Sequence, residues 1–278
     1  MSKAKKETKA ASEQEKLIDL EKTDRKFMEM MNKNFGEGTI FNLQENPLVS
    51  VSPISTYIPS MDYISGAGGY PLGRMIEVFG EESSGKTTLA LYAIRSMQER
   101  ISNPDDELYG KKILFMDAEH ALDPIHVDAI GVDTSPGGGL MIVQPDSAEN
   151  GYDIIRASIE SGMVAMVVLD SIASMVPESI LNSKAEDNHM AVQARLNGKM
   201  LSIIKNSCYE HNTILYVINQ TRSTMAMHGN PMTTPGGKTL KFYASQRIYV
   251  RRKPITKGTD VLGQEITVKF EKNKVGTP

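Results

Sequence analysis

Within FGEESSGKTTLALY, residues 79–92, a glycine is followed by four residues and then Gly85-Lys86-Thr87. This is the spacing of a loop that cradles phosphate. The glycines let the backbone N–H groups of Gly80-Glu81-Glu82-Ser83-Ser84-Gly85 turn inward around an anion, and a helix that starts at Lys86 adds its positive end. Lys86 would reach the β- and γ-phosphates, Thr87 would offer a hydroxyl to Mg²⁺, and Thr88 continues the motif. An apolar run, Arg74 to Phe79, precedes the loop and a helical stretch follows it, which is the context the motif needs. The implied ligand is a nucleoside triphosphate with Mg²⁺.

Three other apolar runs end in residues able to complete such a site. Val164 to Leu169 runs into Asp170-Ser171, where a carboxylate could support the metal. Ile113 to Met116 runs into Asp117-Ala118-Glu119-His120, where one carboxylate could orient and deprotonate an attacking water. Spacing does not choose between Asp117 and Glu119. Ile214 to Ile218 runs into Asn219-Gln220, two amides that either read the γ-phosphate or merely start a loop.

The elements that must position these residues alternate between short apolar strands and longer helical stretches. Strands are expected at 74–79, 112–116, 140–143, 164–169, 214–218, 246–251 and 265–270, with helices starting near Lys86, Ala148 and Met190. Strands that are apolar throughout imply a sheet covered on both faces, so the fold class is α/β with a mainly parallel sheet. The last two runs alternate instead, as antiparallel edge strands do. Phe27, Met30 and Met31 recur at helical spacing within 23–34, and that stripe packs either on its own core or on a neighbouring subunit. Residues 1–22 read as a solvated tail or frayed helix, and SNPDDELYG, 102–110, as a surface insertion. Two stretches, 178–189 and 221–239, lack periodicity and follow strands that end near the phosphate.

Composition bounds the alternatives. A net charge of −3 confines any nucleic-acid contact to local patches, and the single cysteine, Cys208, rules out a disulfide framework and fits a reducing cytoplasm. The longest apolar run, 163–176, is too short for a bilayer and contains Asp170.

The runs GAGGYPLGRMIEVFGEESSGKTTLAL, FMDAEHALDP, VVLDSIASMVP, INQTR, HGNPMTTPGGKTLKFYAS and KNKVGTP, in that order, resemble the ATPase core of the bacterial and phage RecA recombinase family. The resemblance extends from Phe27 to Pro278. It implies a RecA-type core (47–278) behind an N-terminal tail and oligomerisation helix (1–46). It implies ATP and Mg²⁺ as ligands, single-stranded DNA and homologous duplex as partners, and a helical filament with ATP between subunits. Carried over residue by residue, it assigns water activation to Glu119, metal support to Thr87 and Asp170, γ-phosphate sensing to Gln220, and adenine contacts to Asp123 and His126. The family usually has tyrosine at the position of His126. The first DNA loop (about 178–195) would bring Met190 and Arg195. The second (221–239) would bring Arg222, Gly236, Gly237 and Lys238, although it is slightly shorter than the usual pattern. Phe242, Lys272 and Lys274 match subunit-interface residues, the two lysines reaching a neighbour's ATP.

The resemblance also implies further core strands and a small domain beyond Pro278, so the expectation is a fragment or a shortened protein. The implied function is an ATP-dependent recombinase that pairs and exchanges DNA strands in recombination and repair. The alternatives are an assembly module with weak catalysis or a ring helicase.

Overall fold

The computed structural model describes residues 2–42, 52–181, 190–223, 232–233 and 239–276. By its internal contacts the chain divides into two units, 1–50 and 51–278.

The first unit is built on α1, Ser2–Phe35. Of the two readings of residues 1–22, tail or frayed helix, the helix is present, because the segment is rich in Ala, Lys and Glu and has no Pro or Gly until Gly36. Gly36, at φ 104°, ends it in a conformation that disfavours residues with a Cβ. Phe27 and Met30 are about half exposed.

The second unit opens with β1 (Pro53–Ile54), α2 (Pro59–Ser65), β2 (Tyr70–Pro71), β3 (Met75–Gly80) and α3 (Lys86–Ile101). β4 (Lys112–Asp117), α4 (Pro124–Ile130), β5 (Leu140–Val143), α5 (Ala148–Glu160) and β6 (Val164–Asp170) come next. They are followed by a 3-10 turn at Ile172–Ser174, then α6 (Glu178–Leu181), α7 (Met190–Glu210) and β7 (Ile214–Gln220). The order closes with β8 (Arg222–Ser223), β9 (Met232–Thr233), α8 (Thr239–Tyr243), β10 (Gln246–Lys257) and β11 (Asp260–Asn273).

Seven strands form one sheet in the order β11-β10-β3-β7-β6-β4-β5. Every pairing from β10 across to β5 is parallel, and only β10 with β11 is antiparallel. The expected α/β architecture with an antiparallel edge is present. That edge is longer than the alternation indicated: the strands continue to Lys257 and start again at Asp260, because their outer halves are exposed and carry little apolar signal.

Alternation along the strands divides the core. Ile76, Val78, Ile113, Phe115, Met166, Val168 and Tyr216 face α3, where Leu89, Ile94 and Met97 cover them. Leu114, Met116, Val167, Leu169, Leu215 and Val217 face the other way and are covered by Tyr152 and Ile155 of α5 with Leu201, Ile204 and Cys208 of α7. Covering both faces explains why these strands are apolar at nearly every position. The stretch 102–110 begins where α3 ends at Ile101, and α3 buries Met97 and Gln98 just before it. The Gln98 amide donates to the carbonyls of Asp133 and Gly138, tying α3 to the loop before β5.

In the second layer the Tyr152 hydroxyl donates to Asn197 Oδ1 at 2.7 Å in a fully buried contact between α5 and α7. Tyr152→Phe should therefore lower the unfolding free energy by about 1–2 kcal/mol in urea denaturation. An unchanged midpoint would show that this contact does not hold the two helices together.

Candidate functional site

Parallel strands bring their carboxyl ends to one edge of the sheet. Gly80 lies opposite Gln220 between β3 and β7, and Asp117 opposite Asp170 between β4 and β6. The 83-residue gap between Thr87 and Asp170 closes in a hydrogen bond, with the Thr87 hydroxyl donating to Asp170 Oδ2 at 2.8 Å.

The loop between β3 and α3 has the form of a phosphate cradle. A Cβ at Gly80 would lie 2.1 Å from the Val250 carbonyl oxygen, so only glycine fits where β10 crosses the base of the loop. Gly85 sits at φ 93° immediately before α3. The Lys86 ammonium bends back across the loop and donates to the Glu81 carbonyl at 2.5 Å. The Ser84 hydroxyl is buried without a protein partner. Together with the hydroxyl and carboxylate pair of Thr87 and Asp170, these groups suit a phosphate chain and a hard divalent cation such as Mg²⁺.

Burial dominates the site's ionisations. It pushes the Asp170 carboxyl up to about 6, the Thr87 hydrogen bond opposes that rise, and the negative charge of Glu119 adds to it. Burial pulls the Lys86 ammonium down, against the attraction of Asp170 and Glu119.

Of the two carboxylates that spacing did not separate, Glu119 faces the site. Its Oε1 accepts from Gln220 Nε2 at 2.7 Å, from Ser171 Oγ at 2.5 Å and from Ser174 Oγ at 3.2 Å. Asp117 is buried and accepts from the Ala121 N–H and, at 3.4 Å, from Gln144. The two amides at the end of β7 also diverge, as alternation requires. Gln220 turns to Glu119, whereas Asn219 is buried on the other face and donates to Glu77 Oε1 at 3.1 Å. Reading both amides as phosphate sensors therefore does not hold for Asn219.

Asp123 caps α4 by accepting from the Ile125 N–H. His126, one turn into that helix, has Nε2 3.1 Å from the Thr88 hydroxyl, which places the imidazole against the start of α3. Beside the loop lies a cavity of about 620 Å³, walled by Ile58, Met61 and Ile64, by Tyr92, and by Ile266 and Val268 of β11. Neither Asp123 nor His126 lines it, although Thr88, the partner of His126, does.

Lys272 and Lys274 lie on the edge strand and bind α8. Lys272 donates to the carbonyls of Lys241 and Phe242, and Lys274 reaches the Phe242 carbonyl at 3.5 Å. Burial, with help from Lys274 and Arg247, lowers the Lys272 ammonium to about 8. Phe242 is two-thirds exposed and Arg195 is exposed on α7. Met190 starts α7 and Arg222 starts β8, but their side chains, like Gly236, Gly237 and Lys238, lie outside the described residues.

Sequence reasoning did not single out Ser171, Ser174 or the buried carboxylate Glu77. Glu77 is fully buried and pairs with the Arg247 guanidinium, itself stacked over Phe79. A charged residue inside an otherwise apolar strand was the available signal. For the serines it was a hydroxyl directly behind a carboxylate that ends a strand.

The model of the RecA N-terminal domain matches residues 22–278. Protein RecA of Macrococcus caseolyticus is 40% identical over 269 residues, covering 96% of this chain and 71% of the relative. Protein RecA of Bacillus velezensis is 41% identical over 253 residues, covering 90% and 70% respectively. Protein RecA of Staphylococcus epidermidis is 42% identical over 250 residues, covering 89% and 68%.

The folded value of about 6 for Asp170 lies above its ordinary 3.8. The stability this carboxyl contributes is complete below about 3.8 and is lost as pH rises through about 6. In the ligand-free chain, Asp170→Asn should raise the unfolding free energy by about 2 kcal/mol near pH 8, and the gain should vanish near pH 4. Urea denaturation at the two pH values checks this, and an equal gain at both would contradict it.

Proposed function

The chain belongs to the RecA family, and we propose that it is an ATP-dependent DNA recombinase that forms filaments on single-stranded DNA. On this reading it pairs that strand with homologous duplex in recombination and repair, hydrolysing ATP as it does so. The observation that carries the reading is the convergence of a phosphate cradle, a Thr87–Asp170 pair and a Glu119–Gln220 pair at one sheet edge. Both stretches matched to DNA loops leave from that edge, one behind β6 and one behind β7. No helix among the described residues is long and apolar enough to cross a membrane.

The N–H groups of 80–85 and Lys86 would hold the phosphates, and Thr87 with Asp170 would hold Mg²⁺. Bound there, Mg²⁺ withdraws charge from the phosphate oxygens and makes the γ-phosphoryl group easier to transfer to water. Glu119 orients the water and takes its proton. Gln220, which donates to Glu119 in the ligand-free chain, is the amide placed to exchange that partner for a γ-phosphate oxygen. Such an exchange would free the base and shift the strand end from which the second DNA loop departs. His126, on α4 beside the start of α3, would face the base. Arg195, Arg222 and Lys238 would meet DNA phosphates, with backbone N–H groups at Gly236 and Gly237 and an apolar contact from Met190.

Lys272 and Lys274 donate to carbonyls of α8 at the edge of the sheet, and to act on a neighbour they would exchange those contacts. In a filament they would bring positive charge to the γ-phosphate of the adjoining subunit, with Phe242 at the same interface. The exposed Phe27 and Met30 of α1 would pack in such an assembly. A weakly catalytic assembly module or a ring helicase finds no specific observation in its favour.

Glu119→Gln should retain binding of ATP and single-stranded DNA while turnover falls by about 100-fold or more. Wild-type turnover in this variant would remove Glu119 from the chemistry. For the shared site, Lys274→Ala and Lys86→Ala are each expected to lack DNA-stimulated hydrolysis, and mixing the two should recover part of it. No recovery at any ratio would place the lysines outside the neighbour's site.

A further inference from the structure

The Glu119 carboxylate is held by more than the γ-phosphate sensor. Ser171 and Ser174 both donate to the oxygen that Gln220 also reaches, and their own hydroxyls lie 3.1 Å apart. Among the described residues no hydrogen bond reaches the other oxygen, Oε2. Three donors on one oxygen fix the plane of a carboxylate and leave the second oxygen to accept a proton.

Ser171 precedes and Ser174 ends the 3-10 turn at Ile172–Ser174, and that turn is clamped from a distant element. Gln193, in the first turn of α7, aims its side-chain amide at the turn's carbonyls. It donates to Met175 at 2.9 Å, to Ala173 at 3.3 Å and to Ile172 at 3.4 Å. Gln193 lies two residues before Arg195 on the same helix, at the end of the 178–195 stretch matched to the first DNA loop.

We propose that Ser171, Ser174 and Gln193 are positioning residues through which the first DNA loop sets the orientation of Glu119. The inference rests on the recombinase reading and deepens it by adding an input to the base separate from Gln220. A movement of the start of α7 when DNA binds is passed by the Gln193 amide to the turn, and by the two hydroxyls to Oε1. Glu119 then receives the state of the nucleotide from β7 and the state of the DNA from α7. The route consists of side chain to backbone contacts at Gln193 and side chain to side chain contacts at the serines, which hydrophobic or shortened replacements remove.

The test measures phosphate release with saturating oligo(dT), together with binding of a fluorescent ATP analogue. Ser174→Ala and Gln193→Leu should each lower the DNA-stimulated kcat by about tenfold, the loss expected for one misplaced hydrogen bond to a charged group. The midpoint for the analogue should stay within about twofold of the unsubstituted chain, since neither residue is placed to touch the nucleotide, and saturating oligo(dT) keeps any change in DNA affinity out of kcat. Ser174→Thr, which keeps the hydroxyl, should recover most of the rate. If both variants turn over like the unsubstituted chain, the positioning role is wrong while the recombinase reading stands. Weakened analogue binding or a lower melting temperature, with no recovery in Ser174→Thr, would make the contacts structural and also overturn it. An unsubstituted chain without DNA-stimulated turnover would overturn the recombinase reading and this inference with it.

Discussion

Parallel pairing of β3, β7, β6 and β4 in one register is the constraint on which the site depends. That register sets Gly80 beside Gln220 and Asp117 beside Asp170, so the phosphate loop and two acidic strand ends open on one crevice. A slip of one residue in β7 would exchange the faces of Asn219 and Gln220. The amide that now meets Glu119 would enter the core, and Glu77 would lose the partner it has there. The two apolar layers enforce the register, because each strand buries one set of side chains under α3 and the alternate set under α5 and α7.

The same burial gives the site its chemistry. A carboxylate in the crevice of this sheet is uncomfortable in its charged form, and burial pushes the Asp170 carboxyl up to about 6. Lys86 is drawn the opposite way for the same reason. A polyanion and a divalent cation supply what these groups lack, so ligand binding relieves a cost that folding alone leaves in place. Glu77 illustrates the other solution, in which a fully buried carboxylate is satisfied within the protein by Arg247 and Asn219. Losing either partner from such a pair is costly because a charge is then left inside.

The fold and the phosphate loop were legible in the sequence because their signals are local. Six uninterrupted residues, then glycines at fixed spacing, then a helix, identify β3, the loop and α3 from residues 75–101 alone. The sheet order and the outer halves of β10 and β11 were not legible, since exposed strands carry little apolar pattern and pairing is a long-range property. The choice between Asp117 and Glu119 came from the family resemblance, and hydrogen bonds from residues 52 and 101 positions away place Glu119 in the site. The serine pair and Gln193 stayed hidden for the same reason, for nothing near Gln193 in the chain indicates that its amide closes a turn before Met175. The first half of α1 was left between tail and frayed helix because weakly amphipathic sequence resembles a solvated tail, although its residues favour helix throughout.

Glu119 is thus where three segments meet: the end of β4 that carries it, the turn after β6, and the end of β7. The central claim is that this meeting point links DNA to hydrolysis of ATP. The direct measurement is the steady rate of phosphate release by the unsubstituted chain with Mg²⁺ and ATP, as single-stranded DNA is titrated in. A slow rate without DNA that climbs to a plateau as the strand is coated is the predicted result. A rate indifferent to single-stranded DNA at every concentration would contradict the account.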